Sequence, residues 1–265
     1  MGARTNDWGW AISKLLFQGD PILVTGASTG IGEATARLLA ERGARVFLIA
    51  RRPDALDTAI ARIRAAGGIA EGAAADISDR DALLAAIDAA EMAFGPLYGL
   101  FANAGAGGQF APLGDYAETV FDKVLRTNLY SPFWAIGRLL PGMIERKRGA
   151  ILLTGSLASE RGMPNNVGYV ASKHGLLGLA RAAALEAAAH DVRVNCIVPG
   201  LIQTPMMDAL PPNPMRAQRV PQRRMGSSEE VAEVAAFLLS DAASHVTGQN
   251  WAVDGGILGT LNLQS

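Results

Sequence analysis

The 265-residue chain is 49% hydrophobic, enough to bury a large core, and its length suits one α/β domain. With 24 basic and 25 acidic residues the formal charge is −1, which gives no electrostatic reason to expect nucleic acid or an anionic membrane as partner. Apolar runs such as 46–50 and 150–153 are strand-length, far short of the roughly 20 residues a bilayer span needs, and the lone Cys196 leaves no internal disulfide and no cysteine-based metal site, so a soluble, cytoplasmic protein without a metal is expected.

Residues 1–19 carry Trp8, Trp10, Ile12, Leu15, Leu16 and Phe17 at spacings of a short amphipathic turn. Asp7 interrupts them and no cleavage pattern follows, so they read as an N-terminal extension strapped onto the body or a neighbouring subunit, ahead of one domain over 20–265. A buried-strand run over 21–25 leads into Gly26, Ser28, Thr29, Gly30, Ile31 and Gly32, then a helix over 33–42. Strand, glycine turn, helix is a phosphate-binding arrangement, because glycines admit the ligand to the backbone and the helix N-terminus offers free N–H groups. The spacing is G-x-x-x-G-x-G, not the commoner G-x-G-x-x-G.

The second strand, 44–50, ends at Arg51 and Arg52, where an acidic residue would favour a ribose diol and arginine accommodates a 2′-phosphate; NADP is therefore expected over NAD. A helix over 53–66, a strand over 69–75 ending at Asp76, a helix over 79–94 and a strand over 97–103 ending at Asn103 continue the rhythm. Such alternation implies a parallel sheet with ligands at the carboxyl ends of its strands. A long helix over 116–148 would hold Asn128 near its middle, where asparagine is locally out of place and so marks a functional position.

The fifth strand, 150–154, ends at Ser156, and a loop of about a dozen residues leads to Tyr169 and Lys173 on the first turns of an Ala- and Leu-rich helix. At i, i+4 these two share a face, and an ammonium near a phenol favours the phenolate. Acting near neutrality asks for a depression of roughly 3 pKa units, about 4 kcal/mol, so a positive cofactor ring or a helix terminus would have to help. The sixth strand, 192–198, ends at Pro199 and Gly200, with Ile202 and Thr204 following. A proline-broken segment near 203–225 suits a lid over a substrate cleft, a capped helix starts at Ser227, and a last strand covers 250–253.

The chain resembles the short-chain dehydrogenase/reductase family over about residues 20–256. The resemblance rests on Thr25 to Gly32, Asp76, Asn103-Ala104-Gly105, Asn128, Ser156, Tyr169-x-x-x-Lys173, Pro199-Gly200 with Thr204, and Asp254-Gly255-Gly256. Ala102 departs from it, standing where the family often has asparagine. The resemblance implies a single-domain Rossmann-type doubly wound parallel sheet of about seven strands with helices on both faces. It also implies a ketone/aldehyde–alcohol oxidoreductase on a small-molecule substrate, usually a homotetramer or otherwise a homodimer.

In that family Tyr169 would exchange a proton with the substrate oxygen and Ser156 would hold that oxygen. Lys173 would lower the tyrosine pKa and bind the nicotinamide ribose, and Asn128 would hold a water in a proton relay. The glycine turn would cradle the pyrophosphate, Asp76 with Ile77 beside it would meet the adenine, and Asn103, Ala104 and Gly105 would line the adenosine side. Pro199, Gly200, Ile202 and Thr204 would lie along the nicotinamide, the last two fixing its carboxamide. An Ala-rich face over 180–189 is compatible with helix packing between subunits. The rival readings are a non-catalytic nucleotide sensor, which loss of Tyr169 or Lys173 would mark, and an isomerase or lyase using the same tyrosine.

Overall fold

Seven short strands pair into one sheet, all parallel, in the order β3-β2-β1-β4-β5-β6-β7. They are β1 (Pro21–Thr25), β2 (Arg45–Ala50), β3 (Ile69–Ala74), β4 (Gly99–Ala102), β5 (Gly149–Thr154), β6 (Val192–Pro199) and β7 (Asn250–Val253). The computed structural model describes residues 13–210 and 212–260. The helices are α1 (Gly30–Glu41), α2 (Pro53–Ala65), α3 (Arg80–Phe94), α4 (Glu118–Leu125), α5 (Ser131–Glu145), α6 (Val167–Ala187), the four-residue α7 (Pro205–Asp208) and α8 (Ser228–Leu239).

Successive strand residues point to opposite faces, and each face has its own core. Leu23, Ile49, Leu100, Ile151 and Val194 pack with residues of α3, α5 and α6, whereas Ile22, Val24, Leu48, Phe101 and Leu152 pack with α1, α2 and α8. Every residue of β1, β4, β5 and β6 is buried, as a sheet covered on both sides requires. The expected doubly wound sheet is therefore present, and its order reverses between β1 and β4, which opens a crevice at the strands' carboxyl ends.

The expected continuous helix over 116–148 is three pieces: α4, a π-helical turn (Arg126–Tyr130) and α5. Proline explains part of the break. Asn128 O would normally accept from residue 132, and Pro132 has no N–H to donate. Of the Ala-rich stretch over 180–189, Ala180, Ala183, Ala184 and Ala187 lie in the core, where small side chains let α6 sit close on β6, and Ala182, Ala188 and Ala189 are exposed. Of the N-terminal segment, Phe17 is buried and its N–H bonds Arg42 O, so this part straps onto the chain's own body. Trp8, Trp10 and Ile12 fall outside the described residues. Among the described residues no helix is long and apolar enough to cross a membrane.

Candidate active site

The turn after β1 is built for close approach. Gly26 has φ +65° and a Cβ there would meet Ala104 Cα at 2.8 Å, while a Cβ on Gly32 would meet Gly26 O at 2.2 Å. Thr29 is the N-cap of α1 but makes no side-chain capping bond, so the first turn of this 12-residue helix is left without a side-chain cap. Ser28 and Ile31 are half-buried in the same turn. A glycine-lined backbone and an uncapped helix terminus fit a dinucleotide pyrophosphate on chemistry alone.

The other expected cofactor residues gather at the same edge. Arg51 and Arg52 are exposed at the end of β2, Arg52 as the N-cap of α2. Burial works against the charged form of the Asp76 carboxyl, but the N–H and O–H of Ser78 and the charges of Arg51 and Lys123 outweigh it and hold the group below its usual value. Lys123 lies 47 positions from Asp76 in the chain (123 − 76), so no local pattern could have joined them. The side chains of Ile77 and Ile202 are buried in the core, leaving only their main chains for a ligand. Thr204 caps α7, and its methyl lies 3.3 Å from where a Cβ on Gly30 would stand, bringing the start of the proposed lid against the glycine turn. Gly200 donates its N–H to Val253 O beyond Pro199, the last residue of β6.

Asn103 is tied to the glycine turn rather than to a free ligand. Its side-chain amide donates to Thr25 O (3.2 Å) and Gly26 O (3.3 Å), and the N–H groups of Asn103 and Ala104 both donate to Thr25 Oγ1 at 3.1 Å. Its Oδ1 accepts from Thr154 Oγ1 at 3.3 Å. The main-chain oxygen of Thr154 in turn accepts from Lys173 Nζ at 2.6 Å. A chain of hydrogen bonds thus runs from the glycine turn across β4 and β5 to Lys173.

Tyr169 and Lys173 share a face of α6 as expected, with Lys173 Nζ 5.7 Å from the phenol ring centre. The neighbours within the chain do not depress the phenol below its ordinary value. Burial raises the Tyr169 pKa, and the hydrogen bond with Ser156 pulls against that rise. Lys173 is itself almost wholly buried, and desolvation lowers it to about 8. Its ammonium is engaged by the Thr154 carbonyl and, with Nζ 5.7 Å from the ring centre, does not offset the desolvation of the phenol.

The Asn128 side chain is fully engaged by protein groups. Its Oδ1 accepts from Ala106 N (2.8 Å), and its Nδ2 donates to Ala106 O (3.0 Å) and to Ser172 Oγ (3.0 Å), whose hydroxyl donates to Tyr169 O (2.8 Å). The side chain therefore fastens the loop after β4, just beyond Gly105, to the helix that carries Tyr169 and Lys173. The sequence by itself gives no role to Thr154 or Ser172; the position of Ser172 inside the Tyr-to-Lys interval is the available signal, whereas nothing local flags Thr154.

Residues 26–258 match a family model described as enoyl-(acyl carrier protein) reductase. The chain is 38% identical to cyclohexanol dehydrogenase of Acinetobacter sp. (strain SE19), covering 90% of this chain and 95% of that one. It is 37% identical to levodione reductase of Leifsonia aquatica, over 89% and 92% of the two chains. A solved structure of an actinorhodin polyketide ketoreductase variant with NADPH superposes with a TM-score of 0.86 at 33% identity, over 91% of this chain and 98% of that one.

Two outcomes follow. Gly32→Ala should weaken NADPH binding roughly 100-fold or more, about 2.7 kcal/mol, because the new methyl collides with Gly26 O; fluorescence titration of folded variant would read it, and unchanged affinity would contradict the cradle. Lys173 titrates near 8 when folded and 10.5 when unfolded, so its charge costs stability below about pH 8, a cost that vanishes as pH rises through 10.5. Urea unfolding of wild type and Lys173→Met should show the difference moving in favour of wild type by on the order of 3 kcal/mol between about pH 7 and pH 10.5.

Proposed function

The chain belongs to the short-chain dehydrogenase/reductase family, and we propose that it is an NADP(H)-preferring oxidoreductase interconverting a ketone or aldehyde with an alcohol by hydride transfer. The observation that carries this reading is the convergence of a phenol, a serine hydroxyl and a buried lysine beside an uncapped, glycine-lined helix terminus. When bound, the nicotinamide cofactor supplies or accepts the hydride. The remaining tasks fall to side chains.

In reduction, Tyr169 donates its phenolic proton to the carbonyl oxygen and Ser156 donates a hydrogen bond to the same atom, so developing negative charge meets two O–H groups. Burial keeps the phenol protonated at neutral pH, so the proton is in place, and a positive charge nearby is needed for it to leave. In oxidation Tyr169 accepts the alcohol proton, which needs a nearby positive charge, and Lys173 beside the ring is the resident candidate. With its pKa near 8, Lys173 can also pass a proton onward. Asn128 takes part through its main-chain oxygen, since its side chain is engaged by Ala106 and Ser172 and Pro132 offers that oxygen no N–H. A water there would join Lys173 to solvent.

Gly26, Ser28, Thr29, Gly30, Ile31 and Gly32 hold the pyrophosphate, Asp76 and Ile77 the adenine, and Asn103, Ala104 and Gly105 the adenosine side. Pro199, Gly200, Ile202 and Thr204 line the nicotinamide. Arg51 and Arg52 hold a 2′-phosphate, supported by their exposure at the end of β2. We assign residues 203–225 as the lid. A second copy would dock on the exposed apolar face of the π-turn and α5, where Arg126, Leu129, Tyr130, Phe133, Trp134 and Leu179 line a hollow of about 430 Å³.

Parallel titrations with NADPH and NADH, then a carbonyl panel headed by cyclohexanone, test the reading; a protein that binds neither nucleotide would refute it. Tyr169→Phe should lower turnover by about 10²–10⁴-fold while cofactor affinity stays near wild type, and retained activity would sink the acid–base role. Arg51→Ala with Arg52→Ala should weaken NADPH roughly 10–100-fold, the loss of one or two charge-assisted hydrogen bonds, with little change for NADH; equal losses would count against phosphate recognition.

A further inference from the structure

Ser156 does more than end a strand: it is the N-cap of the short 3₁₀ turn Leu157–Ser159. The turn is closed reciprocally. Ser156 N–H donates to Ser159 Oγ at 3.0 Å, Ala158 N–H donates to Ser156 Oγ at 3.2 Å, and Ser159 N–H donates to Ser156 O at 2.8 Å. Serine is acceptable at the third position of such a box because its oxygen can reach back to the N-cap N–H, as glutamate does in longer helices.

Ser159 is itself immobilised. It is 3% exposed, and a Cβ placed on Gly155 would stand 3.0 Å from its Oγ and 2.9 Å from Cys196 Sγ, so the hydroxyl lies against bare backbone with the thiol alongside. Gly155 N–H donates to Ile197 O at 2.7 Å, fixing that backbone to β6. The chemical effect falls on the Ser156 hydroxyl. One of its lone pairs is occupied by Ala158 N–H, and the same hydroxyl is hydrogen-bonded to Tyr169.

We infer that Ser159 is a positioning residue for the carbonyl-holding serine: its hydroxyl fixes the Ser156 main chain, and through it the direction in which Ser156 donates. This rests on the reading of Ser156 given above. The S-x-x-S spacing was visible in the sequence, but without the turn it carried no meaning.

The test is a double-mutant cycle on ketone reduction with NADPH, using wild type, Ser159→Ala, Ser156→Ala and the double variant. Ser159→Ala should lower kcat/KM about tenfold, the worth of one hydrogen bond, with NADPH affinity within about twofold of wild type. In the Ser156→Ala background the same change should have almost no further effect, because its route of action is already gone. Additive losses, or a parallel loss of NADPH affinity, would overturn the inference and leave Ser159 a structural residue. Wild-type activity in Ser156→Ala would instead overturn the reading of Ser156. Should Ser159→Ala not fold, Ser159→Cys keeps the volume with a weaker acceptor, and the same non-additivity with Ser156→Ala is expected of it.

Discussion

A buried ammonium with a neutral partner is costly, and Lys173 is such a group: its short hydrogen bond runs to the Thr154 carbonyl. Desolvation brings it to about 8, so a side chain that is ordinarily a permanent cation becomes able to exchange its proton. The architecture around it supplies what the charge lacks. Thr154 reaches Asn103, Asn103 reaches Thr25 and Gly26, and the lysine and the glycine turn are thereby held by one scaffold across β1, β4 and β5. Those three strands are neighbours only because the sheet order turns back at β1.

The same logic governs the loop after β4, which must be rigid to serve as a wall of the crevice. Asn128 clamps both polar groups of Ala106, Asn166 donates to Gly107 O at 2.8 Å, Ala111 N–H donates to Asn165 O at 2.8 Å, and the Tyr116 hydroxyl accepts from Gln109 N. The partners come from the π-turn, the start of α6 and Tyr116 just ahead of α4. The loop and the helix bearing Tyr169 and Lys173 are consequently positioned together, and a displacement of one is felt by the other.

Much of the fold was legible because its elements differ in local chemistry. The buried runs over 21–25, 45–50 and 192–198 are strand-length and bounded by turn residues, and the capping box at Ser227 and Glu230 forms as its spacing requires. The break within 116–148 was not read. Pro132 carried that information, but its meaning depended on where the helix began. The Ala-rich stretch of α6 is divided between the core and the surface, since small residues permit close packing on any neighbour and do not say which.

By itself the sequence determined the parallel α/β class, the glycine turn at the first strand's end and the shared helical face of Tyr169 and Lys173, because each follows from periodicity or from spacing of a few residues. Only the tertiary structure decided what those groups experience. Burial raises the phenol and lowers the lysine, Asn128 turns its amide to a loop instead of to solvent, and Lys123 comes beside Asp76 from a distant helix. Desolvation and long-range hydrogen bonding belong to the packed chain as a whole, and no local window of residues contains them.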